Sequence, residues 1–167
     1  LVVQAITSFL LTKLLSVEAQ NLINAGYELS MNDYHIIDRL TKRNDMLIDD
    51  VITDNVAPLL FTVFLRRLMD GENILMLTPK RVYHNSSYHK QIVDWINAWF
   101  YKLTSNREFW KVQVFSRLED VEMSSRIIVS SADDILEKGV VNHRWFNNLK
   151  TVLFLSADEM FAESLTA

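Results

Sequence analysis

The sequence predicts an α/β domain built on a doubly wound, mainly parallel sheet. Two observations carry the prediction. Short apolar runs of buried-strand type recur at Met46–Ile48, Asn73–Leu77, Val112–Phe115, Arg126–Val129 and Thr151–Leu155. Segments of helical period separate them, most clearly Val56–Met69 and Ser87–Leu103. In sheets of this kind a ligand sits at the carboxyl ends of the strands. Residues after each strand are therefore the first candidates for function.

Composition narrows the class. The chain has 167 residues, 49% of them hydrophobic and 23% charged, enough for one domain with a core spanning residues 1–167. The formal net charge is −4, so nucleic acid would need a local basic patch. There is no Cys, which excludes disulfides and thiolate metal sites. The four His are scattered, and no metal site is expected. No apolar run approaches the roughly 20 residues of a membrane span. Leu1-Val2-Val3 lacks the basic lead of a signal peptide, and a chain opening on Leu is read as a fragment.

The elements follow in order. Residues from about Ala5 to Ala25 predict two helical pieces. Leu10, Leu14 and Leu15 stripe the first; Ser16 caps the second, and Gly26 closes it. Asn32 or Asp33 starts a helix carrying Ile36, Ile37 and Leu40 inward. Residues 1–42 thus form a helical region, and 43–167 supply the sheet with its flanking helices. Pro58 falls in the first turn of the helix Val56–Met69, where a missing N–H costs little. Asp70-Gly71 turns the chain into the strand Asn73–Leu77, which Thr78-Pro79 stops. On Ser87–Leu103, Ile92, Val93, Ile96, Trp99, Phe100 and Leu103 share one face. That spacing makes Trp95, Trp99 and Phe100 core rather than a stacking platform. It leaves Trp95 at the rim and Tyr101 exposed on the other side. Ser130-Ser131 caps a short helix, Asp133–Lys138; Trp145–Leu149 is a helical turn; Asp158–Ser164 begins a last helix.

The stretch Asp45–Leu68 has the frame of a phosphate-binding loop: strand, turn, helix. Such a loop needs glycines for close backbone approach, a Lys for the β/γ-phosphates and a Ser/Thr for magnesium. The turn here has neither Gly nor Lys and carries Asp49, Asp50 and Asp54. A carboxylate ~6 Å from a phosphate charge costs roughly 3 kcal/mol at an effective dielectric of ~20. Millimolar binding is worth only about 4 kcal/mol.

The order of the pieces resembles the first RecA-like domain of a DEAD-box RNA helicase. Phe9, Leu14 and Gly26-Tyr27-Glu28 are similar to the residues ahead of that family's Q motif, and Tyr34 stands in the slot of its adenine-reading Gln. Asp45-Met46-Leu47 resembles the start of the P-loop strand. Asn55 falls at a P-loop glycine, and Val56 or Ala57 at the Walker Lys. Thr78-Pro79-Lys80-Arg81 is similar to motif Ia. Ser130-Ser131-Ala132-Asp133 sits in the slot of motif Ib, and Leu155-Ser156-Ala157-Asp158 in that of D-E-A-D. By this resemblance Leu155 replaces the magnesium-binding Asp and Ser156 the catalytic Glu.

The resemblance implies a pseudo-helicase, without catalytic residues, cofactor or metal, used as a protein-binding scaffold in RNA processing. Degenerate DEAD-box domains of this sort occur in Yb-like Tudor-domain proteins of the piRNA pathway, which implies a cytoplasmic setting at perinuclear RNA granules. Pro79, Lys80 and Arg81 retain family RNA contacts, whereas motif Ib presents Asp133 in place of Arg and the G-G turn is replaced near Ser116-Arg117. A weak, nucleotide-independent RNA-binding module is the first alternative. An enzyme with an unrecognised site on a RecA-like fold is the second. Trp95 and Tyr101 are the candidate partner anchors, large aromatics being common in that role.

Overall fold

The computed structural model describes residues 17–46, 56–104, 112–114, 121–137 and 142–166. The chain divides into two units, Leu1–Arg66 and Arg67–Ala167.

In the first unit, helix α1 (Val17–Asn24) buries Ala19 and Leu22. It closes as predicted: Gly26 takes φ +93° while its N–H reaches Ile23 O and that of Tyr27 reaches Leu22 O. Helix α2 (Met31–Thr41) buries Ile36, Ile37 and Leu40, but its cap is Ser30, not Asn32 or Asp33. Ser30 Oγ accepts from the Asp33 N–H, and the Asp33 carboxylate accepts from the Ser30 N–H. Placed at the third helical position, Asp33 completes a reciprocal pair that satisfies two orphan donors instead of one. Helix α3 (Ala57–Met69) is preceded by Val56, and every residue from Val56 to Phe64 is buried. Phe61 and Phe64 pack edge to face there.

The second unit holds the sheet. Its strands are β1 (Asn73–Thr78), β2 (Val112–Val114), β3 (Ile127–Ser131) and β4 (Leu149–Phe154). Their order is β2-β3-β1-β4, and all pairs are parallel. From β1 the chain moves two positions out to β2, steps back to β3, then crosses β1 to reach β4. Winding in both directions along a parallel sheet is the predicted arrangement at the level of α/β architecture.

β1 is central and buried along its whole length, as its unbroken apolar run requires. Leu75 and Leu77 face a core shared with Val121, Ile128, Ile135 and Trp145; Ile74 and Met76 face the other way and are equally buried. Between β1 and β2 run α4 (Lys80–Tyr83) and α5 (Ser86–Thr104). On α5, Ile96, Trp99 and Phe100 are buried as the periodicity predicts. Helix α6 (Ala132–Glu137) is capped by Ser131, whose Oγ accepts from the Asp134 N–H. A 3-10 turn, Arg144–Asn148, precedes β4, and α7 (Ala157–Thr166) follows it.

The amino edge of the sheet is tied by one buried network. Asn73 donates to Trp145 O at 2.9 Å and accepts from Arg126 Nε at 3.1 Å. Arg126 also donates to Leu68 O and Glu72 O, capping the end of α3. Burial lowers its pKa. Trp145, fully buried, donates from Nε1 to Ser125 O at 2.7 Å.

Three expectations need correction. β3 starts at Ile127, one residue later, although the Arg126 carbonyl accepts from the Ile74 N–H, and it runs on to Ser131. β4 is not the buried strand that its apolar letters suggest: Val152 is 42% and Phe154 55% exposed. Among the described residues β4 pairs only with β1, and Val152 and Phe154 sit opposite Leu75 and Leu77, beyond the shared core. Met46 lies in no strand. The rest of the expected strand Met46–Ile48 and the turn with Asp49, Asp50, Asp54 and Asn55 lie outside the described residues. Among the described residues no helix is long and apolar enough to cross a membrane.

Candidate functional site

Parallel strands end at one edge, so residues far apart in sequence meet there. Thr78 of β1 is the register partner of Ser131 of β3, and Leu77 that of Phe154 of β4. The segments following the three strands, which start at Pro79, Ala132 and Leu155, are therefore neighbours. Pro79 is buried and ends β1. Its carbonyl accepts from the Tyr83 N–H, opening the single turn α4. Lys80 and Arg81 are consecutive on that turn, so their side chains leave it in different directions.

Each finds a carboxylate. Lys80 Nζ lies 2.6 Å from Asp133 Oδ2. Arg81 grips Glu159 with both prongs, Nε to Oε2 at 3.0 Å and Nη2 to Oε1 at 2.8 Å. The turn after β1 is thus clasped to the turn after β3 on one side and to the first turn of α7 on the other. All four side chains stay well exposed, 39–63%, so each pair contributes only about 0–1 kcal/mol. The fork–fork Arg81 pair has the better geometry of the two.

Nearer the sheet lie Tyr83, His84, Ser130, Ser131 and Asp134. Burial raises the Tyr83 phenol pKa above its ordinary value, the Asp134 charge adds to this, and a Ser130 hydrogen bond offsets part. Ser131 Oγ and Asp134 Oδ2 are hydrogen-bonded. His84 Nε2 stands 3.6 Å from the same Oδ2. A serine, a histidine and an aspartate in proximity suggest nucleophilic chemistry, but the carboxylate oxygen is the shared partner of the other two. The hydroxyl therefore meets the carboxylate rather than the imidazole that would have to accept its proton. Ser131 is also 1% exposed. Thr78 Oγ1, buried at the end of β1, has no hydrogen-bond partner among the described residues.

The positions matched to an ATP site fall as follows. Leu155 is half-buried, and its N–H donates to Leu77 O at 2.9 Å. Ser156 is exposed in a left-handed conformation, φ 55°, and its carbonyl accepts from the Met160 N–H, turning the chain into α7. Neither side chain is a carboxylate able to hold magnesium or take a proton from water. In the first unit Tyr34 is half-buried on α2, and Val56 and Ala57 are buried at the start of α3. On α5, Trp95 is half-buried and Tyr101 is 42% exposed. Among the described residues no group of three His, Asp or Glu is placed to hold a metal ion.

The structure thus joins Lys80 and Arg81 to two residues that sequence reasoning did not pair with them. Asp133 drew notice only as a missing Arg, and Glu159 drew none. The available signal was complementarity: a basic pair after one strand, with acidic residues after two others. Searches against protein-family models and against curated proteins return no match to this chain.

Proposed function

We propose that this chain is a catalytically inactive, helicase-like domain of RecA-like type that works as a protein-binding scaffold in RNA-processing or RNA-silencing assemblies, without nucleotide. One observation supports this best. The carboxyl edge, where an open parallel sheet takes its ligand, is filled by the chain's own ion pairs. In open parallel sheets a ligand sits among the loops after the strands; here Lys80–Asp133 and Arg81–Glu159 join those loops. The absence of a carboxylate at Leu155 and Ser156 supports the same reading, as does the apolar character of Val56 and Ala57. A domain that keeps its sheet without such chemistry has its surfaces left to offer, with Tyr101 and the rim residue Trp95 as anchors on α5. Weak RNA binding through Pro79, Lys80 and Arg81 is the less favoured reading, because both cations already have anionic partners.

Calorimetry with ATP and magnesium tests the reading, with no saturable heat expected. In parallel, Trp95→Ala or Tyr101→Ala should reduce partner recovery in a pull-down from a protein still folded by circular dichroism. The combined change Val56→Lys, Leu155→Asp, Ser156→Glu should leave recovery unaltered. Micromolar ATP affinity, or partner recovery that depends on added ATP, would overturn it.

A further inference from the structure

We propose that the outer edge of β4 is a self-association surface, on which a second copy of this chain adds its own β4 antiparallel to the first. The inference stands apart from the scaffold reading, since it uses neither α5 nor the carboxyl edge.

Strand order carries the first part. Among the described residues β4 ends the sheet and pairs only with β1. The Leu155 N–H donates to Leu77 O, so the backbone of Leu155 faces β1. Backbone direction alternates along a strand, so the N–H and C=O groups of Val152 and Phe154 point away from β1. Their side chains are 42% and 55% exposed. Each residue thus sets an apolar side chain beside a donor and an acceptor that β1 does not use. The strand itself is held in place, because Arg67 Nη1 donates to Thr151 Oγ1 at 2.8 Å. Sheets commonly guard such edges with a lysine or a bulge. Here Lys150 is exposed and is the extra residue where the register shifts, Asn73 pairing with Leu149 but Ile74 with Thr151. That guard covers only the amino end. Beyond it, residues 151–154 pair regularly with 74–77.

The sequence of the edge singles out a second copy as the occupant. A two-fold contact requires a surface complementary to itself. With the axis at Leu153, Val152 of each copy falls opposite Phe154 of the other, and each such pair exchanges both backbone hydrogen bonds. An aromatic residue opposite a β-branched one is among the favourable cross-strand pairs. Like charges do not meet. Lys150 is carried past the end of the second copy's strand, toward its Ser156 and the acidic first turn of its α7, Asp158 and Glu159. The same cation-to-acid match is made twice. An axis at Val152 would instead force the bulged Lys150 into the ladder against Phe154. A pairing of so few residues belongs with small, transient interfaces, so association is expected at high micromolar concentration.

The test is analytical ultracentrifugation of the unaltered chain over a rising concentration series, followed by cross-linking. The weight-average mass should climb from monomer toward dimer. Val152→Asp sets a carboxylate against the second copy's Phe154 and should raise the dissociation constant about tenfold or more. Lys150→Glu should raise it by a smaller factor, and it decides the matter should V152D lose the native circular dichroism spectrum. The chain has no Cys, so single cysteines report the register. Opposed residues of a hydrogen-bonded pair have Cα atoms about 5.5 Å apart, within reach of a disulfide. A mixture of V152C and F154C should oxidise to a covalent dimer of the two variants faster than either variant does alone. A mass that stays monomeric into the hundreds of micromolar overturns the proposal and leaves the edge to a strand of another protein. So does a dimer that V152D and K150E leave unchanged, and so does a mixture that cross-links no faster than its components. Hydrogen exchange supplies the remaining outcome: Val152 and Phe154 amides protected in the monomer would mean that the chain covers this edge itself, and the proposal fails.

Discussion

Replacing Asn73 by Ala should destabilise the protein by about 3 kcal/mol, and the figure can be built from the contacts of one amide. Asn73 is 4% exposed at the start of the central strand. Its Nδ2 donates to Trp145 O, and its Oδ1 accepts from Arg126 Nε. Removing the amide takes a donor from the Trp145 carbonyl, which keeps an i→i+3 partner within the 3-10 turn, so this loss falls at the low end, about 1 kcal/mol. It also takes one acceptor from a guanidinium that keeps Leu68 O and Glu72 O, so that loss falls near the lower end of the range for charged groups, about 1.5 kcal/mol. The small void left behind adds a fraction of a kcal/mol. Urea unfolding followed by circular dichroism is a suitable assay. With a slope of about 2 kcal/mol per molar urea, the midpoint should fall by roughly 1.5 M. Asn148→Ala, at an exposed position in the neighbouring 3-10 turn, is the control and should stay within about 0.5 kcal/mol. A shift for Asn73→Ala no larger than the control's would refute the network as the tie at the amino edge.

Two further outcomes are expected. Phe154→Ser should cost less than about 1 kcal/mol, because the ring is over half exposed, whereas Met76→Ala on β1 should cost about 2–5 kcal/mol; equal costs in urea unfolding would show β4 to be covered as β1 is. Tyr83 has a folded-state pKa above its ordinary value near 10, so its contribution is complete below pH 10 and is lost as pH rises through the folded value; Tyr83→Phe should therefore lose less stability between pH 9 and pH 11 than the unaltered chain, and identical alkaline limbs would count against that shift.

What was legible in the sequence was whatever a short window determines. β1 could be read from Asn73-Ile74-Leu75-Met76-Leu77, because a strand buried on both faces needs an unbroken apolar run. α5 could be read because its inner face repeats at helical spacing over 19 residues. The closure of α1 followed from Gly26. β4 was misread for the same reason that β1 was read correctly. Apolar letters report that a strand can be buried, and only the strand order shows that β4 has one neighbour among the described residues. α4 went unseen because four residues after a proline carry no periodicity. The partners of Lys80 and Arg81 were the least legible part. Arg81 and Glu159 are 78 positions apart, and nothing local selects one carboxylate over the next. The parallel register selects them, by bringing the ends of β1, β3 and β4 to one edge.

The two edges of the sheet use the same chemistry to opposite ends. At the amino edge Arg126 is half-buried, and it donates to an amide and two backbone carbonyls. It ties Leu68 and Glu72 to the starts of β1 and β3, and a substitution there leaves buried polar groups unmatched. At the carboxyl edge Arg81 is exposed and paired with a carboxylate that water could replace. Substitution there changes the charge of a surface and leaves the core alone. The amino edge must therefore be kept for the fold to persist, while the carboxyl edge can be rewritten residue by residue at a cost of about 1 kcal/mol or less for each pair. A sheet that retains Asn73, Arg126 and Trp145 can carry a phosphate-binding rim, or a rim closed by its own carboxylates, with no difference in how it folds. For this chain the second arrangement holds: Asp133 and Glu159 are paired with Lys80 and Arg81.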